Sequence, residues 1–427
     1  MKIKKATLIL LMLSLLLSIT LTPCTASADS ENKAQSYLDS LTEKMPLNGV
    51  VYVTKDGEVL CEYANGMANT KEGKKITTDT MFPIGSNSKQ FCAAAVLILK
   101  EQGKISVDEK ISKYFPEYEK AADVTVKNLL TNRSGIRNFQ EGIMFEEYAL
   151  STEATEAENQ EKILNWIYSK ELTFKPDSRY EYSNTNFFLL SLIVEQVSGQ
   201  SYTDFVKENI LAPLKMTNSG FYEELYNHPD LAEHKGNPSD NIDPDFKGYA
   251  QGAGDLVSNA KDMDIWMTSL REHTILSEES INEMTTNYSL NAGYGYGIGI
   301  LSDGTLTHNG TATTYINVTS TNFNNKLNVF VISNNIKYEE STVLDFADKL
   351  VKTFQLINGD VNGDKKITIK DTTLIQKYCA KFFTLSEAEM LTADVNKDSK
   401  ANIKDATAIQ KHLAKIETNL PIGELIY

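Results

Sequence analysis

Two short patterns in the chain pair a possible nucleophile with a possible base. Ser86-Asn87-Ser88-Lys89 opens the stretch "CAAAVLILKEQG", whose Ala, Leu and Ile residues predict a buried helix that ends at Gly103. Residues three apart share a helical face, so Lys89 would reach the Ser86 hydroxyl at the positive end of the helix. A buried ammonium is costly without partners, so Lys89 either faces solvent or lies among groups that need its charge. We interpret the second pattern, Ser258-Asn259-Ala260-Lys261, as a solvated helix start.

Two further patterns place polar groups next to predicted elements. Tyr182-Ser183-Asn184 comes immediately before the apolar helix "FFLLSLIVEQVSG", and His308-Asn309-Gly310 comes before the last strands. Tyr-x-Asn also occurs at 63–65 and 315–317, so this tripeptide alone is not diagnostic.

A repeat with a period of 34 residues supplies a different chemistry near the C-terminal end. Side-chain oxygens recur at the EF-hand loop positions 1, 3, 5, 9 and 12, and a backbone carbonyl at position 7 completes each loop. The first loop would use Asp360, Asn362, Asp364, Lys366, Thr368 and Asp371, and the second Asp394, Asn396, Asp398, Lys400, Asn402 and Asp405. These hard oxygen donors predict two Ca²⁺ sites.

The two loops depart from a standard EF-hand loop at two positions. Lys365 and Ser399 occupy position 6, where a positive φ favours glycine, and Ala401 replaces a larger apolar residue at position 8.

The elements around these patterns predict an α+β fold. "GVVYVTKDGEVLCEYANG" reads as a hairpin that turns at Asp56-Gly57, and "LNVFVISNN" as a late buried strand. Helical stretches such as "KILNWIYSK" and "DMDIWMTSLREH" lie between them. We therefore expect an antiparallel sheet closed by strands from both ends of the domain, flanked by helices and a helical region, over residues 29–357. A small all-α calcium-binding domain would follow over 358–427.

The N-terminus has the pattern of a secretory signal. Residues 1–28 contain three lysines, an apolar run of about 16 residues and the small-x-small site Ala26-Ser27-Ala28. An uncleaved membrane anchor is the alternative, and a lipoprotein anchor on Cys24 is disfavoured by Pro23. Removing the signal takes away three lysines and no acid, so the net charge moves from −15 to −18. Such a surface repels nucleic acid and anionic lipid, and we expect neither as a partner.

Three cysteines remain after the predicted cleavage, Cys61, Cys92 and Cys379. An odd number disfavours a disulfide framework, although it leaves one Cys61–Cys92 bridge open.

Ser-x-x-Lys, Tyr-x-Asn and His-x-Gly, in this order, resemble the serine hydrolases of the class C β-lactamase and DD-peptidase family, which is similar to penicillin-binding proteins. The resemblance continues through "VTVKNLLTNRSGI", "NILAPLKMTNSGF", "AGDLVSNAKDM" and "YGYGIGI" and covers residues 40–340. Asn132-Arg133 stand where relatives commonly have His-Thr.

The resemblance implies a role for each matched residue. Ser86 would be the acylated nucleophile, and Lys89 and Tyr182 would share proton transfer, each lowering the pKa of the other. Asn184 would bind substrate. The backbone N–H groups of Ser86 and Thr311, beside Gly310, would form the oxyanion hole. No cofactor is expected in this domain.

His308 bears on the substrate, because it occupies the position of a lysine in β-lactamases of this fold. His-x-Gly is similar to DD-peptidases, D-amino-acid peptidases and some esterases, which favours an ester or a D-amino-acid-type peptide or amide. A class C β-lactamase and a non-catalytic penicillin-recognising protein are the alternatives.

The tandem loops resemble a type I dockerin over about Asn358–Ile416. The resemblance implies binding to the cohesin module of a scaffoldin, in a secreted cellulosome-like complex where the substrate could be a plant-cell-wall ester or a peptide. The cohesin-binding residues would be duplicated, as Ile369, Lys370, Gln376 and Lys377 in one half and Ile403, Lys404, Gln410 and Lys411 in the other.

Overall fold

The computed structural model describes residues 26–144, 150–151, 153–233, 248–289, 291–312, 314–334 and 338–426. Residues 1–25 of the predicted signal peptide lie outside the described residues, and the signal remains a prediction. Among the described residues, no helix combines the length and the apolar character needed to cross a bilayer.

The central sheet is antiparallel and has the strand order β2-β1-β11-β10-β9-β8. Its strands are β1 (Gly49–Lys55), β2 (Glu58–Asn65), β8 (Gly299–Ile300), β9 (Leu306–Ala312), β10 (Tyr315–Asn322) and β11 (Leu327–Ser333). Because β1 pairs with β11, strands from the two ends of the domain close the sheet, as predicted.

Two smaller sheets accompany the central one. They contain β3 (Met67–Asn69) with β4 (Lys74–Lys75), and β5 (Phe82–Pro83), β7 (Leu256–Ser258) and β6 (Gly220–Phe221) in the order β5-β7-β6.

The β1–β2 hairpin turns where the sequence predicts it. Asp56 and Gly57 have φ values of 54° and 86°, and two consecutive positive φ angles match the right-handed twist of a tight hairpin. Within β1, Val50 packs against the helical region and Val51 packs on the opposite face of the sheet. The strand is therefore apolar throughout because both faces of the sheet are covered.

Helices cover both faces of the sheet and form a separate helical region. In chain order they are α1 (Ala26–Lys44), α2 (Ser88–Glu101), α3 (Val126–Leu130), α4 (Gln140–Met144), α5 (Glu156–Ser169), α6 (Asn184–Ser198), α7 (Tyr202–Val206), α8 (Ala212–Leu214), α9 (Tyr222–Leu225), α10 (Ala260–Arg271), α11 (Glu278–Met284) and α12 (Glu340–Phe354). Short 3₁₀ turns occur at Gly85–Asn87, Ile111–Lys113 and Glu119–Ala121, and a π-helical turn at Lys207–Leu211 joins α7 to α8. Helices α1 and α12 pack on one face, while α2, α6 and α10 form the core on the other.

The C-terminal domain is a small helical unit with its own core. Its helices are α13 (Ile369–Cys379), α14 (Glu387–Ala393) and α15 (Ile403–Leu413). The first and last segments of this unit pair with each other, because Ile357 forms a bridge with Leu425 and Asn358 N–H donates to Glu424 O (2.7 Å). Ile426 also packs against the core between α12 and the sheet, so the unit contacts the larger domain.

The cysteines do not form the bridge that the sequence left open. Cys61, Cys92 and Cys379 are free thiols. Cys61 belongs to the core under α1 and α12, whereas Cys92 lies in the core of the helical region, so the two side chains are on opposite faces of the sheet.

Candidate active site

The candidate nucleophile lies on a short turn that leads into a helix buried over most of its length. Ser86 belongs to the 3₁₀ turn before α2, and residues 88–99 of α2 are buried. The Ser88 hydroxyl donates to Gly85 O (2.7 Å) and accepts from Leu256 N–H (3.0 Å), which fastens the turn to β7. The helix is therefore fixed directly behind the reactive hydroxyl.

Two side chains donate hydrogen bonds to Ser86 Oγ. Lys89 Nζ donates to it at 3.0 Å, and the Tyr182 hydroxyl donates to it at 2.8 Å. Lys89 also donates to Ala253 O (2.5 Å), and its Nζ atom lies 5.0 Å from the centre of the Tyr182 ring. The spacing Ser-x-x-Lys thus produces the contact that the sequence predicts, and Tyr182 joins it from the loop before α6.

Burial sets the protonation states of the two candidate bases. The pKa of Lys89 is lowered to about 7 by burial, partly offset by the nearby Asp255 charge. The pKa of Tyr182 is raised by burial, and this increase outweighs the decrease caused by its hydrogen bond with Ser86. The expectation that both pKa values fall is wrong for Tyr182. The free-energy cost of burying the phenolate exceeds the stabilisation that its neighbours provide.

These protonation states divide the proton-transfer roles. Near neutral pH a large fraction of Lys89 is an uncharged amine, which can accept the Ser86 proton. Tyr182 keeps its proton and can donate it to a leaving group beside Ser86. Lys89 is therefore the better general base for acylation, and Tyr182 the better acid.

Strand β9 passes close to the nucleophile turn because two glycines leave room for it. A Cβ atom on Gly85 would lie 2.8 Å from Thr311 O, and one on Gly310 would overlap Ile84 O. Gly85 also has φ = 50°, a conformation that glycine adopts without strain. This close packing brings the backbone of Thr311 beside that of Ser86, where the predicted oxyanion hole requires both.

A buried polar network holds this packing, and the sequence did not reveal it. Asn317 Nδ2 on β10 donates to Ile84 O (3.2 Å) and Gly310 O (3.0 Å). Asn87 Nδ2 donates to Asn317 Oδ1 (2.5 Å), while Asn87 Oδ1 accepts from Thr319 and from Gln90. Asn317 is part of the Tyr-x-Asn tripeptide at 315–317, which is not diagnostic by itself. Its role in holding β9 against the nucleophile turn becomes visible only from the register of β9 with β10, which pairs Asn317 with Gly310.

Asn184 has a free acceptor next to the site. Its Nδ2 donates to Gln140 Oε1 (2.7 Å), and among the described residues its buried Oδ1 has no hydrogen-bond partner. Asn132 Oδ1 accepts from Ser183 N–H (3.1 Å) and from Asn186 Nδ2 (2.7 Å). Asn132, one of the two departures from relatives, thus positions the Tyr182–Asn184 segment.

His308 is buried and neutral. Its Nδ1 is 2.6 Å from Asn309 O and its Nε2 is 3.1 Å from the Tyr294 hydroxyl, so the proton belongs on Nδ1. Burial, together with the charge of Lys89, lowers the pKa of His308 to about 4. Its ring centre is 6.4 Å from that of Tyr182, and both line a cavity of about 350 Å³ that contains no lysine or arginine among the described lining residues.

The second Ser-x-x-Lys pattern is not a site. Lys261 pairs with Asp79 at the surface (2.7 Å), while the Ser258 hydroxyl contacts Ser219 (2.8 Å). The predicted helix start is confirmed and Lys261 is exposed, but Ser258, Asn259 and Ala260 are buried, so the prediction that the start is solvated is wrong for these three residues.

The carboxylates of the two C-terminal loops bond to loop N–H groups. Asp360 Oδ1 and Oδ2 accept from Asp364 and Lys365, and Asp394 does the same with Asp398 and Ser399. Asp371 and Asp405 close the capping boxes at Thr368 and Asn402. Within the described part of the chain, no three acidic, histidine or cysteine side chains cluster as a metal site by themselves.

The donor set of these loops nevertheless fits Ca²⁺. Burial and neighbouring aspartates raise the pKa of Asp360 and of Asp405, so a cation would relieve the crowding of charge. Carboxylate, amide and carbonyl oxygens are the ligands that Ca²⁺ prefers.

The predicted cohesin-binding positions present the same exposed face twice. Ile369 and Ile403 are 59% and 55% exposed. Phe382 and Ile416, also 34 residues apart, add a second exposed apolar pair that the loop-based prediction missed. Their signal in the sequence is the repeat itself.

Comparison with known proteins gives two family matches. Residues 38–350 match the Beta-lactamase family, and residues 358–414 match the Dockerin type I domain. The chain is 28% identical over 276 residues to the putative penicillin-binding protein PbpX of Bacillus subtilis (strain 168), which covers 64% of this chain and 66% of that protein. Penicillin-binding protein 4* of the same organism is 30% identical over 202 residues, 47% of this chain and 43% of its own length.

Solved structures share the fold. The octameric penicillin-binding protein homologue from Pyrococcus abyssi superimposes with a TM-score of 0.63 at 26% identity, covering 75% of this chain and 77% of that one. D-amino acid amidase from Ochrobactrum anthropi SV3, complexed with L-phenylalanine amide, gives a TM-score of 0.60 at 22% identity, covering 76% of this chain and 99% of its own.

Proposed function

Since the chain belongs to the Beta-lactamase family of serine hydrolases and carries a type I dockerin domain, we propose that it hydrolyses esters or D-amino-acid-type amides through an acyl-enzyme on Ser86. The observation that carries this proposal is the convergence of Lys89 and Tyr182 on Ser86 Oγ.

The reaction follows from this geometry. Neutral Lys89 takes the Ser86 proton as Oγ forms a bond to the substrate carbonyl carbon, and the oxyanion is held by the N–H groups of Ser86 and Thr311. The bond to the leaving nitrogen or oxygen then breaks as Tyr182 donates its proton and recovers one from Lys89. Water attacks the acyl-enzyme by the same proton route in reverse, which releases the acid and restores Ser86.

The surroundings of His308 favour a leaving group without a carboxylate. A neutral histidine cannot form an ion pair, and Glu340, which accepts from Asn309 Nδ2 (2.7 Å), adds a negative charge that is felt at Tyr182. An alcohol, an amine or ammonia has no carboxylate, so it can leave without a cationic residue near His308. β-Lactams and peptides ending in D-Ala carry a carboxylate, which a cationic residue would bind. Esters and simple amides should therefore exceed nitrocefin in kcat/KM, and the reverse order would support the β-lactamase alternative.

Substitutions in the three converging residues test the mechanism. We expect Ser86→Ala to abolish turnover and covalent labelling by a fluorophosphonate, and Lys89→Ala and Tyr182→Phe each to reduce kcat/KM by at least about 10²-fold. Lys261→Ala is the matched control, because this lysine stands at the same spacing after a serine but pairs at the surface, and it should keep full activity. Undiminished turnover by Ser86→Ala would refute the mechanism, and a wild-type protein that neither turns over substrate nor is labelled would support a non-catalytic binding role.

We further propose that the dockerin holds two Ca²⁺ ions and docks this enzyme onto the cohesin of a scaffoldin outside the cell. The duplicated acidic loops and the duplicated exposed isoleucines support this proposal. The dockerin specifies where the enzyme acts, and the active site specifies its substrate.

A further inference from the structure

A second cavity adjoins the nucleophile and shares no lining residue with the His308 cavity. Its volume is about 260 Å³, and Pro83, Gly254 and Ala312 form the wall nearest the site. Ala312 follows Thr311 on β9, and a Cβ atom on Gly254 would lie 3.6 Å from the backbone of Gly85. A substrate held by Ser86 could therefore extend one of its groups into this cavity.

The cavity combines aromatic walls with carboxylates. Phe221, Tyr222 and Tyr249 supply the aromatic surface, and the acidic residues are Glu156, Glu223, Glu224 and Asp255. No lysine, arginine or histidine is among the described residues that line it. Its electrostatic character is therefore negative.

The four acidic side chains differ in how they are compensated. Glu224 pairs with Lys207 at 2.6 Å, so its charge is neutralised. Glu223 accepts from Gly248 N–H (2.6 Å) and Glu156 from the Gln160 amide (3.1 Å), which are neutral donors. Neither donor carries a charge that would compensate these carboxylates, and burial together with Glu223 raises the pKa of Glu156.

Asp255 offers an unsatisfied acceptor at this cavity. Its Oδ2 accepts from Gly252 N–H (3.1 Å), whereas its buried Oδ1 has no hydrogen-bond partner among the described residues. Burial, with a contribution from Glu223, raises the pKa of Asp255 to about 7, and the nearby Lys89 only partly offsets this. A buried acceptor without a donor is costly, and an entering ammonium would supply both donor and charge.

We propose that this cavity binds a primary ammonium group carried by the acyl part of the substrate, an inference that rests on the proposed acyl-enzyme function. The aromatic walls fit the carbon skeleton beside the ammonium, and cations are attracted to aromatic faces. A free amino acid amide or ester, with its amino group unblocked, satisfies this cavity and the His308 side together. An acylated amine would bring neither the charge nor the donors.

Two substrates with the same leaving group test the inference on the full-length protein in Ca²⁺. We expect D-alanine p-nitroanilide to exceed its N-acetyl derivative in kcat/KM by about tenfold or more. Glu223→Gln should reduce this preference severalfold, whereas the neighbouring Glu224→Gln should leave it unchanged, because the Glu224 charge is already paired with Lys207. Simple primary amines should inhibit hydrolysis of an uncharged ester competitively, and this inhibition should weaken in Glu223→Gln.

The possible failures are distinguishable. Equal turnover of the two anilides, or a preference for the acetylated one, overturns the ammonium site and leaves the acyl-enzyme mechanism standing. If Glu223→Gln and Glu224→Gln lose the preference for the free amine equally, the preference arises from the overall negative charge of the region, and the ammonium site is refuted. No turnover of either anilide or of any ester, without labelling of Ser86, removes the proposed function and the ammonium site with it.

Discussion

At the scale of single residues, the chemistry depends on an amine that is kept away from water. Lys89 is fully buried, and its Nζ atom lies 5.0 and 5.6 Å from the ring centres of Tyr182 and Phe187. Burial disfavours the ammonium more than the nearby Asp255 charge restores it, so the pKa falls to about 7. A lysine at its ordinary pKa would remain protonated at neutral pH and could not act as a base.

The pH dependence of kcat/KM should report this lysine. We expect activity on p-nitrophenyl acetate, which has no titrating group, to rise between pH 6 and 8 with a midpoint near the Lys89 pKa of about 7, because only the neutral amine accepts the Ser86 proton. Asp255 titrates in the same range, so the rise reflects both groups. Asp255→Asn removes a negative charge that favours the ammonium and should move the midpoint to lower pH. A midpoint that moves upward would contradict this arrangement.

The sequence predicted contacts between residues near in the chain better than contacts between distant ones. Ser86 and Lys89 meet because three residues separate them on one helix, and this rule needs only the sequence. The raised pKa of Tyr182, the Asn317 network and the unpaired Asp255 Oδ1 depend on which distant segments pack together. Likewise, both sheet-closing strands were predictable from their apolar runs, and their closure of one sheet from the order of the elements, but the residue-by-residue register of β1 with β11 is seen only in the folded chain.

At the scale of elements, the distance between β9 and the 3₁₀ turn before α2 would control the proposed oxyanion hole. Gly310→Ala places a methyl group onto Ile84 O and must push β9 away from the nucleophile turn. We expect kcat to fall by about 10²-fold, as for the loss of one oxyanion donor, while fluorophosphonate still labels Ser86 slowly. Kinetics and thermal unfolding of Gly310→Ala test this. Gly304→Ala is a control for backbone strain alone, because Gly304 has φ = 84° but an added Cβ would meet no neighbour. Unchanged kcat in a folded Gly310→Ala protein would refute the role of this contact.

The two calcium loops should differ in strength. Loop two has non-glycine residues with positive φ at positions 4 and 6, Lys397 (59°) and Ser399 (66°), whereas loop one has glycine at position 4 and only Lys365 (62°) strained. Ala401 in loop two also offers less apolar surface than Ile367 in loop one. We expect calcium to drive folding of the dockerin, and loop two to release its ion first as chelator is added.

Calorimetry and the NMR signals of the two loops during EDTA titration can follow this order. Ser399→Gly should strengthen loop two, because glycine adopts the required φ without strain. Simultaneous loss of both ions, or a dockerin that stays folded in excess EDTA, would contradict the prediction.

At the scale of the whole molecule, the dockerin presents two equivalent exposed faces for the proposed docking. Ile369 with Lys370 and Ile403 with Lys404 are related by the 34-residue repeat, and both isoleucines are exposed. We expect mutation of one pair to aspartates to leave cohesin binding nearly intact, and mutation of both pairs to abolish it. Isothermal titration with a matched cohesin measures this, and loss of binding from the first pair alone would exclude a dual mode.

The pairing of Ile357 with Leu425 brings the two ends of the dockerin together, which makes it a self-contained domain. The first and last segments of the domain lie next to each other. The domain could therefore be fused to another catalytic domain through one junction, without changing the helices that carry Ile369 and Ile403. In this protein the junction between the two domains also includes a specific contact, because Ile426 packs against the core beside α12. A dockerin fused to another enzyme would keep its exposed isoleucine faces but lose the Ile426 contact. We therefore expect its orientation relative to that enzyme to be less restricted.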